Sequence, residues 1–101
     1  MRVILHSEAA AELRDAFLWY ESKAGNLGHD LLDEVEDGIE RIREKPDTWP
    51  LYTRAFGVRR FLIHRFPFGI LYRVEPTRIY VLAVSHLNRK PTYWEHRLAD
   101  P

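Results

Sequence analysis

The chain has 101 residues, 46% hydrophobic, 13% aromatic and 30% charged, the balance of a single domain over residues 1–101 with no room for a second. It has no cysteine, which excludes disulfides, thiolate metal sites and cysteine nucleophiles and fits an intracellular, cytoplasmic location. The formal charge is zero, but residues 1–50 carry 6 basic and 12 acidic side chains whereas residues 51–101 carry 9 and 3, so either the halves neutralise each other or a basic face is left to attract an anionic surface.

Residues 2–6 (RVILH) form a β-branched run, followed by Ser7 and Glu8, a side-chain cap and an early acid that predict a helix start. Over residues 8–24, Ala10, Leu13, Phe17, Tyr20 and Ala24 recur every three or four positions and predict one apolar helical face. Gly25, Asn26 and Gly28 interrupt it. Leu31, Leu32, Val35, Ile39 and Ile42 then repeat the spacing until Pro46, which makes a helical hairpin. Gly38 inside the second helix points to a close helix crossing.

Residues 46–57 (PDTWPLYTRAFG) read as a surface connection. Beyond them the period becomes two. Residues 58–64, 69–75 and 78–86 predict three strands joined by short turns, hence an antiparallel meander. Its inner face should hold Phe61, Ile63, Ile70, Tyr72, Ile79, Val81 and Ala83 against the hairpin. Residues 86–101 are basic and aromatic without a clear period, a tail or short helix. The longest apolar run, residues 79–84, is far short of the roughly 20 residues of a membrane helix, and the N-terminus lacks a signal-peptide layout, so no membrane association is expected.

The five histidines form no metal-ligand spacing, Ser7 and Ser85 lack a nucleophile elbow, and no two glycines fit a phosphate-cradling loop, so neither metal nor nucleotide cofactor is expected. Asp33, Glu34, Glu36, Asp37 and Glu40 surround an apolar stripe and read as the solvated face of a helix. The basic half is richer in chemistry. Arg54, Arg59, Arg60, Arg65, Arg73, Arg78, Arg89, Lys90 and Arg97 alternate with Phe66, Phe68, Tyr80, Tyr93 and Trp94. Arginines beside aromatic rings serve RNA binding and protein interfaces alike, and composition favours neither.

The order of elements, with Ala-Glu-Leu at residues 11–13, Trp-Tyr-Glu at 19–21, the basic strand RRFLIHRFPFGILYRV, then IYVLAVSHLNRKP and YWEHR, resembles the RelE/ParE toxin family of bacterial type II toxin–antitoxin systems, also called plasmid stabilisation proteins. The match spans nearly the whole chain. Arg60, the Arg65-Phe66-Pro67-Phe68 turn with Tyr72 after it, and Arg89-Lys90-Pro91 followed by Tyr93, Trp94 and Arg97 are its most specific pieces. The resemblance implies an α+β, two-layer RelE-like fold, β-α-α-β-β-β, with an antiparallel sheet packed on a helical hairpin, the first strand beside the last, and a basic C-terminal segment. It also implies a cognate antitoxin partner whose disordered segment folds across the toxin.

The family divides at mechanism. RelE-like members cut ribosome-bound mRNA, whereas ParE-like members block DNA gyrase and cut nothing. The chain keeps Arg60 and Lys90 where the nuclease branch has basic residues, but has Leu62 and Gly69 where that branch has a lysine and an arginine. Removing half of a cationic set that must stabilise a phosphorane-like state costs orders of magnitude in rate. The expectation is therefore a ParE-like, non-catalytic gyrase inhibitor, with Arg59, Arg60, Arg65, Arg89, Lys90, Tyr93, Trp94 and Arg97 as target-binding residues. The alternative is a metal-independent endoribonuclease acting on mRNA in the ribosome through Arg60, Lys90 and Tyr93. A third reading is a decayed toxin that retains only antitoxin binding.

Overall fold

A computed structural model describes residues 1–99. The chain runs β1 (Arg2–Leu5), α1 (Ser7–Lys23), α2 (Leu27–Glu44), β2 (Leu51–Thr53), β3 (Val58–Leu62), β4 (Phe68–Val74), β5 (Arg78–His86) and a 3-10 helix (Glu95–Ala99). The strands make one five-stranded sheet in the order β1-β5-β4-β3-β2. The first strand does lie beside the last. It runs parallel to β5, however, so the sheet is mixed and only β2 to β5 form the antiparallel meander. β2 lies within the stretch read as a loop. It is a three-residue edge strand paired with β3 across an irregular register, and Arg60 N–H also donates to the Pro50 carbonyl (3.1 Å).

The cap of α1 is His6 rather than Ser7: its Nδ1 accepts the Glu8 N–H at 3.0 Å, and Ser7 is the first helical residue. The helix turns Ala9, Leu13, Ala16 and Tyr20 to the sheet, while Ala10 and Ala24 are exposed. α2 buries Leu31, Val35, Gly38 and Ile42. Together the helices cover one sheet face, where Phe61, Ile63, Ile70, Tyr72, Ile79, Val81 and Val84 complete the core. Ala83 belongs to the other face. Leu71 pairs with Ala83 and Tyr72 with Val81, so Leu82 is an extra residue, a β-bulge that flips the alternation of β5. Val58, Leu71, Tyr80, Leu82 and Ala83 thus form a second core, closed by Trp94 from the C-terminal segment.

The close helix approach expected at Gly38 lies at Gly28 instead, which is part of α2 rather than of the break before it. A Cβ on Gly38 would meet the Phe61 ring (2.9 Å) and an Ile70 methyl (3.1 Å), so this glycine admits the sheet rather than the other helix. The close helix approach is at Gly28, where a Cβ would press into the Phe17 carbonyl oxygen. Backbone does not yield as a side-chain tip does, so Gly28→Ala is expected to destabilise by about 1–3 kcal/mol. A shift of the urea midpoint to lower concentration at constant m-value checks it. Among the described residues no helix is long and apolar enough to cross a membrane.

Candidate functional site

On the sheet face away from the helices, a shallow cleft of about 20 Å³ opens over Gly69, Leu71 and Ser85, between Tyr52 and Arg60 on one side and His86, Leu87 and Arg89 on the other. Three strands supply its floor and walls. The bulge that moves Ala83 outward keeps Ser85 on this face opposite Gly69. The missing side chain of Gly69 has a specific consequence: the stem of Arg60 lies across it, with Cγ and Cδ 3.1 and 3.2 Å from where a Cβ would stand. The Arg60 guanidinium then rests on the Tyr52 ring at 4.7 Å, and that of Arg89 rests on the Tyr93 ring at 3.9 Å. Both are cation–π contacts that hold a charge in place without neutralising it. Among the described residues, Arg60, Arg89 and Lys90 have no carboxylate within ion-pair distance.

Arg59, Arg65, Arg73 and Arg78 instead hold parts of the fold together. Arg59 donates to the carbonyls of Asp47 (3.2 Å) and Trp49 (2.7 Å), pinning the connection before β2. Arg65 bridges to Asp30 (3.4 Å) and Glu34 (3.5 Å) of α2. Arg73 and Arg78 both grip Glu75, each at 2.6 Å, and the second arginine sits over the Tyr80 ring. Arg59, which also approaches Asp47 (3.8 Å), and Arg65 thus meet acids of the first half, whereas Arg73 and Arg78 share an acid of their own half.

Of the eight residues anticipated as target-binding, Arg60 and Arg89 meet at the cleft, Tyr93 underlies Arg89, and Lys90 follows on the exposed loop. Arg59 and Arg65 point elsewhere. Trp94 is 0% exposed and Arg97 3% exposed, so direct contact by either would require the C-terminal segment to move. Arg97 is held by Glu12 of α1 through Nη1 (2.8 Å) and Nη2 (3.1 Å), and Nη1 also donates to the Leu82 carbonyl (2.9 Å). Glu12 further accepts the Val84 N–H (3.1 Å) and the Tyr93 hydroxyl (2.6 Å). β1 leaves β5 unpaired beyond Val81, and Glu12 and Arg97 supply the donors and acceptors that a longer strand would have provided. Burial and this bond to Glu12 push the Tyr93 phenol up to about 12, away from the range of a general base at neutral pH.

Tyr52, Glu12 and the Gly69 bed escaped the sequence reading. Tyr52 lay in the stretch taken for a loop, and Glu12 looks like any acid on the flank of an amphipathic helix. Among the described residues no group of three or more histidines and carboxylates is placed to hold a metal ion.

Comparison with known proteins sets this geometry in context. No curated protein matches the chain. Among solved structures, the chromosomal ParDE toxin–antitoxin system from P. aeruginosa is similar, with a TM-score of 0.64 at 23% identity over 85% of this chain and 95% of that one. The family model for the ParE toxin of the type II toxin–antitoxin system parDE matches residues 3–91. The chain belongs to the ParE toxin family of type II toxin–antitoxin systems.

Proposed function

We propose that this ParE-family toxin acts in the cytoplasm by inhibiting DNA gyrase without cutting nucleic acid, and that a cognate antitoxin neutralises it. The observation that carries this reading is the outer cleft. It presents two arginines, Arg60 and Arg89, each laid on a tyrosine and without a carboxylate partner among the described residues, while Leu62, 46% exposed, and Gly69 stand where the resemblance places further cations of the nuclease branch. Of the groups that could transfer a proton there, Tyr93 has its hydroxyl engaged by Glu12, and His86 accepts the Asn88 N–H on Nδ1. Such a surface suits holding a partner better than stabilising a phosphorane.

For the antitoxin, an apolar hollow of about 230 Å³ lined by Ala16, Trp19, Tyr20, Phe68 and His86 lies beside α1, with Trp19 55% exposed. An amphipathic segment that folds on binding could bury itself there.

The test is purified gyrase supercoiling a relaxed plasmid in the presence of toxin freed of antitoxin. Inhibition is expected at micromolar excess, and added antitoxin should relieve it. Untouched supercoiling would reject gyrase as the target. Codon-phased mRNA cleavage in programmed ribosomes would put the endoribonuclease in its place.

A further inference from the structure

We propose that the cleft between Arg60 and Arg89 receives an acidic side chain, an aspartate or glutamate flanked by apolar residues, from a protein partner. The proposal deepens the gyrase reading and rests on it for the partner's identity, but not for the chemistry of the site.

Four observations converge. First, each guanidinium is laid on a tyrosine and has no carboxylate partner among the described residues, so two preorganised donor forks face solvent. The planar fork of arginine matches a carboxylate with two parallel hydrogen bonds, and a group already held in place loses little freedom on binding. Second, the cleft is small, about 20 Å³, which suits the oxygens of a carboxylate. Third, the Arg60 and Arg89 guanidiniums each cover a face of a tyrosine beside the cleft, which takes those faces away from base stacking, the usual grip on single-stranded nucleic acid. Fourth, two exposed leucines flank a largely polar lining: Leu87, 48% exposed, lines the cleft, and Leu62, 46% exposed, pairs with Gly69 at its floor. An acidic group seated centrally with apolar contacts around it has the layout of a protein hot spot.

The experiment measures fluorescence anisotropy of two labelled probes, a glutamate-rich peptide with a central leucine and a short single-stranded RNA of equal net charge. The proteins are the wild type, Arg60→Gln, Arg89→Gln, Gly69→Val and, as a matched control, Arg14→Gln, which removes an exposed arginine on α1. Gly69→Val keeps every charge but fills the bed of the Arg60 stem. Each variant is first shown to melt like the wild type.

The peptide should bind, and its affinity should fall about tenfold in each arginine variant of the cleft, the scale of one lost charge-assisted contact. It should also fall in Gly69→Val and hold in Arg14→Gln. An equal loss in Arg14→Gln, or none in Gly69→Val, would reduce the effect to diffuse charge and overturn the proposal. RNA bound more tightly than the peptide and released by Arg60→Gln would make the cleft a nucleic-acid site instead. A protein that grips the peptide through this pair yet leaves supercoiling untouched would refute gyrase as target while upholding the inference. Inhibition of gyrase without peptide binding would do the reverse.

Discussion

Trp94→Ala is expected to destabilise the protein by about 3–5 kcal/mol, the usual cost of emptying a buried tryptophan site. Against the roughly 5–15 kcal/mol that holds a small domain folded, such a loss brings the melting temperature close to ambient. The indole is 0% exposed and closes the second core over Val58, Leu71, Tyr80, Leu82 and Ala83, with Phe56 edge-on at 6.3 Å and Tyr52 tilted at 6.5 Å. Neither α1 nor α2 covers that face; the 3-10 helix reaches it through Leu98. Among the described residues the ring's buried Nε1 has no acceptor, and an unpaired buried donor carries a desolvation cost. Trp94→Phe removes that donor while filling most of the volume, and should cost far less. The pair separates fold from function: thermal melts should show a large drop for alanine and a small one for phenylalanine, and toxicity should follow the melts. An alanine variant melting at the wild-type temperature would mean that the C-terminal segment is not docked. A phenylalanine variant that folds but has lost toxicity would give the indole a direct part in target binding.

Why the sequence revealed some of this and hid the rest has a physical answer. The helices were legible because a 3.6-residue period survives for four turns in each. The chosen face of α1 was slightly rotated because alanine sits equally well in water and in a core, so Ala9 and Ala10 cannot be told apart. The bulge at Leu82 left no trace: residues 79–84 are apolar at every position, and a strand buried on both faces has no alternation to read. β2 was hidden by its length of three residues and by the prolines at 46 and 50 that precede it. The arginines of the site were visible from composition, but which of them stay unpaired depends on acids far away in the chain. Arg65 meets Asp30 and Arg97 meets Glu12 only through the fold. Trp94 shows the same limit, since a segment without a period can still bury its largest ring.

Glu12→Ala should be the second severe substitution, at about 3–5 kcal/mol, because it removes the hydrogen-bonded partner of a buried cation rather than merely deleting a contact. The carboxylate accepts from Val84 N–H, the Tyr93 hydroxyl and both terminal nitrogens of Arg97. Its loss leaves the 4%-exposed Arg97 side chain with only the longer contact to the half-exposed Glu8 (3.6 Å) and uncovers the β5 edge. The loss should be repairable: a double variant, Glu12→Leu with Arg97→Leu, removes both charges and should recover much of the stability, since apolar replacements of buried ion pairs are often neutral or better. Spectroscopy provides a reading independent of stability. The Tyr93 phenol is pushed up to about 12 by burial first and by donation to Glu12 second. In Glu12→Ala, alkaline difference titration against Tyr93→Phe should therefore find it ionising closer to the ordinary value of 10.0. An unmoved titration would show that the hydroxyl does not depend on Glu12. Glu12→Gln then connects the network to the cleft, because it keeps an acceptor for Tyr93 but removes the charge beside Arg97. If the Tyr93 ring must be held for Arg89 to stay fixed upon it, this variant should retain most of its gyrase inhibition while Glu12→Ala, assayed below its lowered melting point, loses it. Equal inhibition by both would show that Arg89 holds its position without the tie to α1.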